Sequence, residues 1–444
     1  MTTVQRSSAV QTPRRPLAVL TLIAAAMVAV LTACGGPASG PTEDQSSPTA
    51  DFTQHGPITL IQGKDTSGWT QGMIAQWNKA HPDEIVTLRE APSLADQQRQ
   101  QLLQAAQIKD SAVAVMMLDA VWTAEFAANS YAEVLPQDKF PMTGYLPQTI
   151  QTVTYFGKHY AVPFATGGGM LYYRKDLLQQ AGVEVPTTWA EMKAACKKVR
   201  ALPGKANIGC YGGQFNKYEG LTVNVTEAVA SAGGQLVTPE GQATANSDEA
   251  KQGLGFLATS FKDGTIPKAA ITWGEEEGRQ AFQNGNLVFL RNWSYVYSLA
   301  ENPKASKVAG KFAVAPLPGL NGPGVSTLGG NNYAITTFGK NKGTAVDFIN
   351  FMRSPEAQKS QMLASSQPPP LASVYTDKDI VKKYPFMPTL LKSIETAQPR
   401  PVAVRYGDVT IAIQDASYSA LEQRTSVDDA LNTLQSKLGP LLQK

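Results

Sequence analysis

Aromatic side chains lie near acids, amides or an arginine at several separate places in this chain. The set comprises Asp119 near Trp122, Tyr218 beside Glu219, Trp293 near Tyr295, the pair Asn331 and Asn332, and Arg400. A sugar presents hydroxyl groups at its edges and an apolar C–H surface on its face, so a sugar site needs aromatic surfaces together with hydrogen-bonding groups. The set therefore favours carbohydrate binding. Each member also has a structural explanation, since the rings could pack in a core and Tyr218 with Glu219 could cap a helix.

Other chemistries have less support in the residues. A glycosidase needs two carboxylates on either side of one glycosidic bond, and Asp119, Glu219 and residues 275–277 are the candidates. The three histidines are scattered without metal-ligand spacing, so we expect no metal site and no cofactor. No glycine-rich phosphate loop followed by a basic and hydroxyl pair occurs in the sequence.

The beginning of the chain has the composition of an export signal. Three arginines precede an almost wholly apolar stretch at residues 17–31, which is shorter than the about 20 residues that a bilayer span needs. The stretch ends in the sequence LTAC, which resembles the bacterial lipobox. We therefore predict a lipoprotein signal peptide at residues 1–33 and diacylglycerol attachment at Cys34, with a plain signal peptide as the alternative. The Ser-, Thr- and Pro-rich run that follows predicts a flexible tether at residues 34–55.

Charge and the remaining cysteines fit an exported protein. The chain has 39 basic and 36 acidic residues, and three of the basic residues lie in the predicted signal peptide. The mature chain is then neutral, which argues against a nucleic-acid partner.

Cys196 and Cys210 are close in sequence and are expected to form a disulfide outside the cytoplasm, with two buried thiols as the alternative. A loop this short would contribute about 3 kcal/mol.

Apolar patterning predicts an α/β fold. Residues 58–61, 84–88 and 112–118 are expected to be strands, and the last of these is a continuous apolar run typical of a strand buried on both faces of a parallel sheet. Apolar residues at helical spacing lie between these strands, which gives the alternation of an α/β protein. Asp119 comes directly after the third strand, at the edge of a parallel sheet where ligands bind.

Three further helices have recognisable beginnings. Thr188 with Glu191 forms a capping box, Ser354 followed by Pro355 is a typical helix start, and residues 427–438 have amphipathic spacing. Trp189 follows the first of these caps and is expected to pack against its own lobe.

An ordered series of short blocks resembles the extracellular solute-binding proteins of carbohydrate ABC importers. The blocks are GKHYAVPF at 157–164, LYYRKDL at 171–177, PTTW at 186–189, AFQNGN at 281–286 with RNW at 291–293, APLPG at 315–319 with LGG at 328–330, and AQPRP at 397–401. They cover nearly the whole mature chain in order. The run DAVWTAEF at 119–126 is most similar to that of trehalose/maltose-binding lipoproteins.

The resemblance implies an α/β, two-lobed, periplasmic-binding-protein-like fold with a hinge and a ligand cleft between the lobes. The implied division is lobe 1 at 56–162 with 325–365 and lobe 2 at 163–324 with 366–444, joined near Pro163, Pro318 and Gln367.

The resemblance also implies ligand contacts. Asp119, Trp293, Tyr295 and Arg400 match contacts of the family, and Arg99 matches a further basic contact. In an extended chain, residues two positions apart share a face, so Trp293 and Tyr295 are expected to present one aromatic surface.

The candidate contacts also include Tyr218, Glu219 and Asn331. Asn331 lies where relatives can carry an aromatic residue, and Gly167 lies where they can carry an acidic contact. Both departures leave the identity of the sugar open.

The expected function is that of a lipid-anchored substrate-binding component of an ABC sugar importer, not of an enzyme. It would capture a trehalose- or maltose-like disaccharide or an oligosaccharide at the extracytoplasmic face of the bacterial cell membrane. As a monomer, it would deliver the sugar to two permease subunits with a cytoplasmic ATPase. The alternatives are a secreted glycoside-acting enzyme and a sugar-sensing lipoprotein without a permease.

Overall fold

The computed structural model describes residues 50–443, so the predicted signal peptide, Cys34 and most of the tether lie outside the described residues. The strands are β1 (Ile58–Gly63), β2 (Val86–Ala91), β3 (Val113–Asp119), β4 (Thr154–Tyr155), β5 (Lys158–His159), β6 (Val162–Gly167), β7 (Met170–Tyr173), β8 (Gly209–Gly212), β9 (Leu287–Asn292), β10 (Ala313–Ala315) and β11 (Gly329–Ile335).

Helices surround these strands and occur both between them and after them. They are α1 (Trp69–Ala80), α2 (Ala95–Gln107), α3 (Thr123–Ala128), α4 (Pro147–Gln151), α5 (Lys175–Ala181), α6 (Trp189–Arg200), α7 (Glu219–Ser231), α8 (Asp248–Lys262), α9 (Glu275–Gln283), α10 (Val296–Ala300), α11 (Lys342–Met352), α12 (Pro355–Ser365), α13 (Lys378–Lys383), α14 (Met387–Glu395), α15 (Tyr406–Leu421) and α16 (Val427–Leu441).

The first sheet has five strands in the order β2-β1-β3-β11-β6. β1, β2 and β3 are parallel, and β11 is antiparallel to both β3 and β6. Val115 and Met116, adjacent in β3, pack into two different apolar clusters, which is why the apolar run forms a central strand covered on both faces. We call this sheet with α1, α2, α11 and α12 the first lobe. Its parallel strands end at the edge that carries Asp119.

The second sheet has four strands in the order β10-β7-β9-β8. Its central strand β9 is buried along its whole length, with Val288 in one apolar cluster and Leu290 in another. α7 and α8 pack with the last two helices, α15 and α16, so the end of the chain returns to this part of the fold. We call this sheet with α7, α8, α15 and α16 the second lobe.

The chain leaves the first sheet after Gly167 and enters the second at β7. The predicted Pro163 passage is therefore placed too early, because Pro163 pairs with Asn332 inside the first sheet. The chain returns to the first sheet between β10 and β11. The other lobe boundaries stay predictions.

The local helix signals are confirmed. Thr188 and Glu191 form both hydrogen bonds of a capping box at the start of α6, and the Ser354 hydroxyl accepts from the backbone N–H of Ala357 at the start of α12. The first helical residue after that cap is proline, whose missing N–H would have no partner there.

Cys196 on α6 and Cys210 on β8 are joined by a disulfide, with 5.5 Å between their Cα atoms. The oxidation state of this pair in exported protein stays a prediction. Within residues 50–443, no helix has the length and apolar character of a membrane span.

Candidate functional site

A buried arginine connects the two lobes at the edge where β3 ends. The Arg400 guanidinium donates from Nη2 to Oδ1 of Asp119 and from Nη1 to Oε1 of Glu219, each at 2.5 Å. Asp119 is the last residue of β3, and Glu219 is the first residue of α7. The fold thus brings three predicted site residues into one group, which we call the Arg400 centre. Hydrogen bonds between ionised partners of this kind are about twice as strong as neutral ones.

Two hydroxyl groups of α15 complete the surroundings of Glu219. The Tyr406 hydroxyl donates to Oε1, and the Thr410 hydroxyl donates to Oε2 at 2.7 Å. Both carboxylate oxygens of this buried glutamate are therefore occupied inside the protein, and its part in the centre is to hold Arg400. Tyr406 and Thr410 could not be identified from the sequence, because nothing in the pattern of α15 distinguishes them from other polar helix residues.

Burial and charge oppose each other in this centre. Burial raises the pKa of Glu219 above its ordinary value, while the charge of Arg400 acts in the opposite direction. Burial also disfavours the charged form of Arg400, but the Asp119 and Glu219 carboxylates outweigh it and raise the Arg400 pKa well above its ordinary value. Because a guanidinium keeps its proton, we take the centre as a fixed cation between two acidic groups.

The Arg400 centre has unused hydrogen-bonding capacity. Asp119 receives both the Arg400 guanidinium and the Val121 N–H on Oδ1, so Oδ2 has no partner among residues 50–443. Arg400 is only 2% exposed, yet its Nε also lacks a partner within the described part of the chain. A buried donor without a partner is rare in proteins. Asp119, whose side chain is 18% exposed, can therefore accept a hydroxyl from outside at Oδ2, whereas Arg400 Nε is enclosed by the protein.

Trp293 follows β9 in the second lobe and reaches the first sheet. The benzo edge of its ring faces Gly329 and Gly167, which are paired across β11 and β6. A Cβ atom at Gly329 would lie 2.8 Å from Cζ3 of the ring, so a glycine is required there for the ring to fit. The Arg291 guanidinium lies over the ring, 4.0 Å from its centroid. Trp293 is half-buried, which leaves part of the ring accessible.

The extended conformation assumed in predicting a common aromatic face for Trp293 and Tyr295 is absent. β9 ends at Asn292, and Tyr295 already has helical dihedral angles (φ −58°, ψ −25°) at the start of α10. The two-residue alternation of an extended chain therefore does not apply.

Tyr218 and Tyr295 both donate to the first turn of α9. The Tyr218 hydroxyl donates to Glu275 Oε2 at 2.5 Å, and the Tyr295 hydroxyl donates to Glu276 Oε1 at 2.6 Å. Burial raises the pKa of both tyrosines well above the ordinary value, so they remain protonated donors. Their hydroxyls are committed to α9.

Arg99 and Asn331 lie on the first lobe. Arg99 donates from Nε to Glu125 Oε2 at 2.7 Å, and its guanidinium lies against Gly407 of α15. It therefore forms a contact between the lobes, and its charge is paired with Glu125. Asn331 is partly exposed and lies in register with Asp119 on the neighbouring strand, beside the Arg400 centre.

Two tryptophans pack inside a lobe. Trp122 is buried in an apolar cluster of the first lobe, so its structural explanation is correct. Trp189 stacks on Phe256, with ring centroids 4.3 Å apart and 4° between planes. The prediction that Trp189 packs against its own lobe is confirmed.

Two other features lie outside the Arg400 centre. A groove of about 520 Å³ opens near the C-terminal end of α7 beside Gly234 and Gln398, and no residue of the centre lines it. His55 Nδ1 lies 3.0 Å from Glu84 Oε2 and 3.9 Å from Asp347 Oδ2. Within residues 50–443 this is the group whose atoms could hold a metal ion, although the hydrogen bond between His55 and Glu84 needs none.

Comparisons with known proteins give a consistent result. The sequence model of the family described as "Bacterial extracellular solute-binding protein" matches residues 72–389. A probable ABC transporter-binding protein of Deinococcus radiodurans is 34% identical over 367 residues, which cover 80% of this chain and 86% of that protein. The solved structure of maltose-bound T. maritima MalE3 is 31% identical, with a TM-score of 0.82 over 87% of this chain and 99% of that chain. The GacH receptor of Streptomyces glaucescens, solved unliganded and with acarbose, is 24% identical with a TM-score of 0.77 over 87% and 98% of the two chains, and this similarity concerns the fold.

Proposed function

Since the chain belongs to the family of bacterial extracellular solute-binding proteins, we propose that it is the lipid-anchored component of an ABC importer that binds a maltose- or trehalose-like disaccharide or an oligosaccharide. The sugar would lie between the two lobes at the Arg400 centre. The lipid anchor would be attached at Cys34, and the closed protein would dock on two permease subunits with a cytoplasmic ATPase.

The observation that carries this proposal is the free acceptor Asp119 Oδ2 at the sheet edge that Trp293 reaches, since Asp119 pairs with Asn331, two residues from the Gly329 that the ring faces. Asp119 Oδ2 offers an acceptor for a sugar hydroxyl, while Arg400 holds the same carboxylate through Oδ1. An accessible part of the Trp293 ring in the same cleft would cover the apolar face of the sugar. Maltose in the similar MalE3 structure supports a glucose disaccharide as the first ligand to test.

The enzyme alternative is less consistent with this geometry. A glycosidase requires one carboxylic acid that donates a proton and a second carboxylate on the other side of the bond. Asp119 and Glu219 instead bind the same guanidinium, and both oxygens of Glu219 are occupied by residues of the protein. A binding role uses this arrangement as it stands.

Calorimetric titration of the mature protein with maltose, trehalose, lactose and maltotriose tests the proposal. A ligand at about 100 times its Kd should stabilise the protein by about 2.7 kcal/mol, so the thermal unfolding midpoint should rise with the same sugars. Chromatography of the recovered sugar should show it intact, and hydrolysis would favour the enzyme. The sensor alternative predicts that sugar uptake by cells survives deletion of the gene for this protein. If no sugar of the panel binds, the proposed ligand class is wrong.

A further inference from the structure

A second buried ion pair lies inside the second lobe. Arg291 on β9 is fully buried and donates from Nε to Oε2 of Glu227 on α7 at 2.6 Å. Its Nη2 donates to the other oxygen of Glu227, and its Nη1 donates to Gln214 Oε1 at 2.8 Å. A forked pair with a third acceptor fixes the plane of the guanidinium.

The fixed guanidinium lies over the ring of Trp293. The distance of 4.0 Å from Cζ to the ring centroid is well inside the about 6 Å within which a cation and an aromatic ring attract each other. The backbone of Trp293 is also held, since its carbonyl accepts from the Tyr172 hydroxyl and its N–H donates to Asn292 Oδ1, both at 2.8 Å. The backbone from which the ring extends is therefore held in place, and a fixed cation lies against one face of the ring.

The same ion pair touches two of the three passages of the chain between the lobes. Glu227 Oε1 accepts from the Thr327 N–H at 3.1 Å and from the Ser326 hydroxyl at 3.3 Å, shortly before β11 begins. At the other passage, a Cβ atom on Gly169 would lie 2.6 Å from Arg291 Nη2, so the chain passes directly against the pair. The orientation of the ring is thereby tied to the segments that connect the lobes.

We propose that Arg291 is a positioning residue of the sugar site, which holds the Trp293 ring so that the face opposite the guanidinium meets the sugar. The proposal rests on the proposed sugar-binding function and goes beyond it, because Arg291 and Glu227 are not candidate ligand contacts. A purely structural role is a weaker explanation for the pair, since a buried ion pair contributes little net stability compared with apolar residues of the same volume.

The test is Arg291→Lys, which keeps the charge opposite Glu227 but loses the planar fork that stacks on the ring. We expect the Kd for maltose to rise about tenfold. In a Trp293→Leu background, the same substitution should change the Kd by less than about twofold, because the ring it positions is gone. An equal loss in both backgrounds would overturn the proposal, as would an unchanged Kd in folded Arg291→Lys protein.

Arg174→Lys is the matched control. Arg174 follows β7 in the same sheet, is also buried and forms a forked pair with Asp176 at 2.7 and 2.6 Å. It should lose comparable stability without a change in the Kd for maltose. If Arg291→Lys does not fold, Glu227→Gln is the alternative variant, because it removes the charge that holds the guanidinium but keeps a polar side chain of the same size. An equal loss of affinity with and without the Trp293 ring, or an unchanged Kd, would again overturn the proposal.

Fluorescence separates this proposal from the proposed function. The emission of Trp293 is obtained by subtracting the spectrum of the corresponding Trp293→Phe protein. Acrylamide should quench this emission more strongly in sugar-free Arg291→Lys than in the wild-type protein. In Arg174→Lys the quenching should be unchanged. Wild-type protein that binds no maltose would refute maltose as the ligand, and the quenching result would still decide whether Arg291 positions the ring. Unchanged quenching would refute the positioning role.

Discussion

Removal of the Asp119 carboxylate should weaken sugar binding far more than it weakens the fold. Oδ2 of Asp119 is the acceptor that the Arg400 centre leaves without a partner among the described residues, and the side chain is 18% exposed. A hydrogen bond to a charged group contributes about 1.5–3 kcal/mol. Asp119→Ala should therefore raise the Kd about ten- to 150-fold at 25 °C.

The fold should tolerate this change because Arg400 keeps its second partner. Loss of one partner of a fully buried pair costs about 3–5 kcal/mol, but here the guanidinium retains Glu219 at 2.5 Å and Asp119 is partly exposed. We expect the unfolding midpoint of the sugar-free protein to fall by a few degrees.

The matched control lies at the other end of the same strand. Asp110 precedes β3, is 22% exposed in its side chain and pairs with Arg89 at 2.9 Å. Asp110→Ala should lower the unfolding midpoint by a similar amount and leave the Kd unchanged. Calorimetry and thermal unfolding of both variants decide the matter. Wild-type affinity in Asp119→Ala, or an equal loss of affinity in both variants, would refute the assignment of Asp119 to the site.

Three further predictions concern the anchor, the disulfide and the aromatic surface. Cys34→Ala should move the protein from the membrane fraction to the soluble fraction without unfolding it, as judged by fractionation after an alkaline wash; a variant that stays with the membranes would contradict lipidation. Cys196 and Cys210 should be unavailable to alkylation in exported protein without reductant, as measured by intact mass, and two alkylated thiols would exclude the disulfide. Trp293→Ala should raise the Kd for sugar at least about tenfold. Trp189→Ala should only lower the unfolding midpoint, because the Trp189 ring stacks inside the second lobe. A Trp293→Ala protein with normal affinity and a low unfolding midpoint would show that Trp293 is structural.

Much of the frame around the site follows from local rules. The apolar run before Asp119 predicts a central strand because such a run can be covered on both faces, and the end of a parallel strand predicts a ligand edge. The capping box at Thr188 is equally local, since its two hydrogen bonds join residues three positions apart. Arg400 entered the candidate set as a lone arginine and through its resemblance to a family contact.

The pairings within the site could not be predicted in this way. Arg400 pairs with residues 181 and 281 positions away, and no periodicity in the sequence reports such distances. The expected common face of Trp293 and Tyr295 assumed that the strand continues, and this assumption was wrong because the chain turns after Asn292. The burial of Arg291 was equally invisible, since a charged residue at the end of an apolar strand is usually exposed.

The Arg400–Asp119 pair also bears on how the cleft closes. The two lobes meet at this pair, at the hydrogen bond from Gln414 to Asp96, which measures 3.3 Å, and where the Arg99 guanidinium lies against Gly407. Such contacts do not by themselves lock the lobes together, because the desolvation of a buried ion pair offsets much of its attraction. A ligand must bind the closed form about 5.5 kcal/mol more tightly than the open form to move a population from 1:99 to 99:1. At about 0.5–1.5 kcal/mol for an ordinary hydrogen bond, this requires several contacts that exist only when both lobes touch the sugar. On the proposed function, a sugar that binds Asp119 of the first lobe and Trp293 of the second would make contacts of this kind, and Arg400, which joins Asp119 to Glu219, would hold the first of them in place.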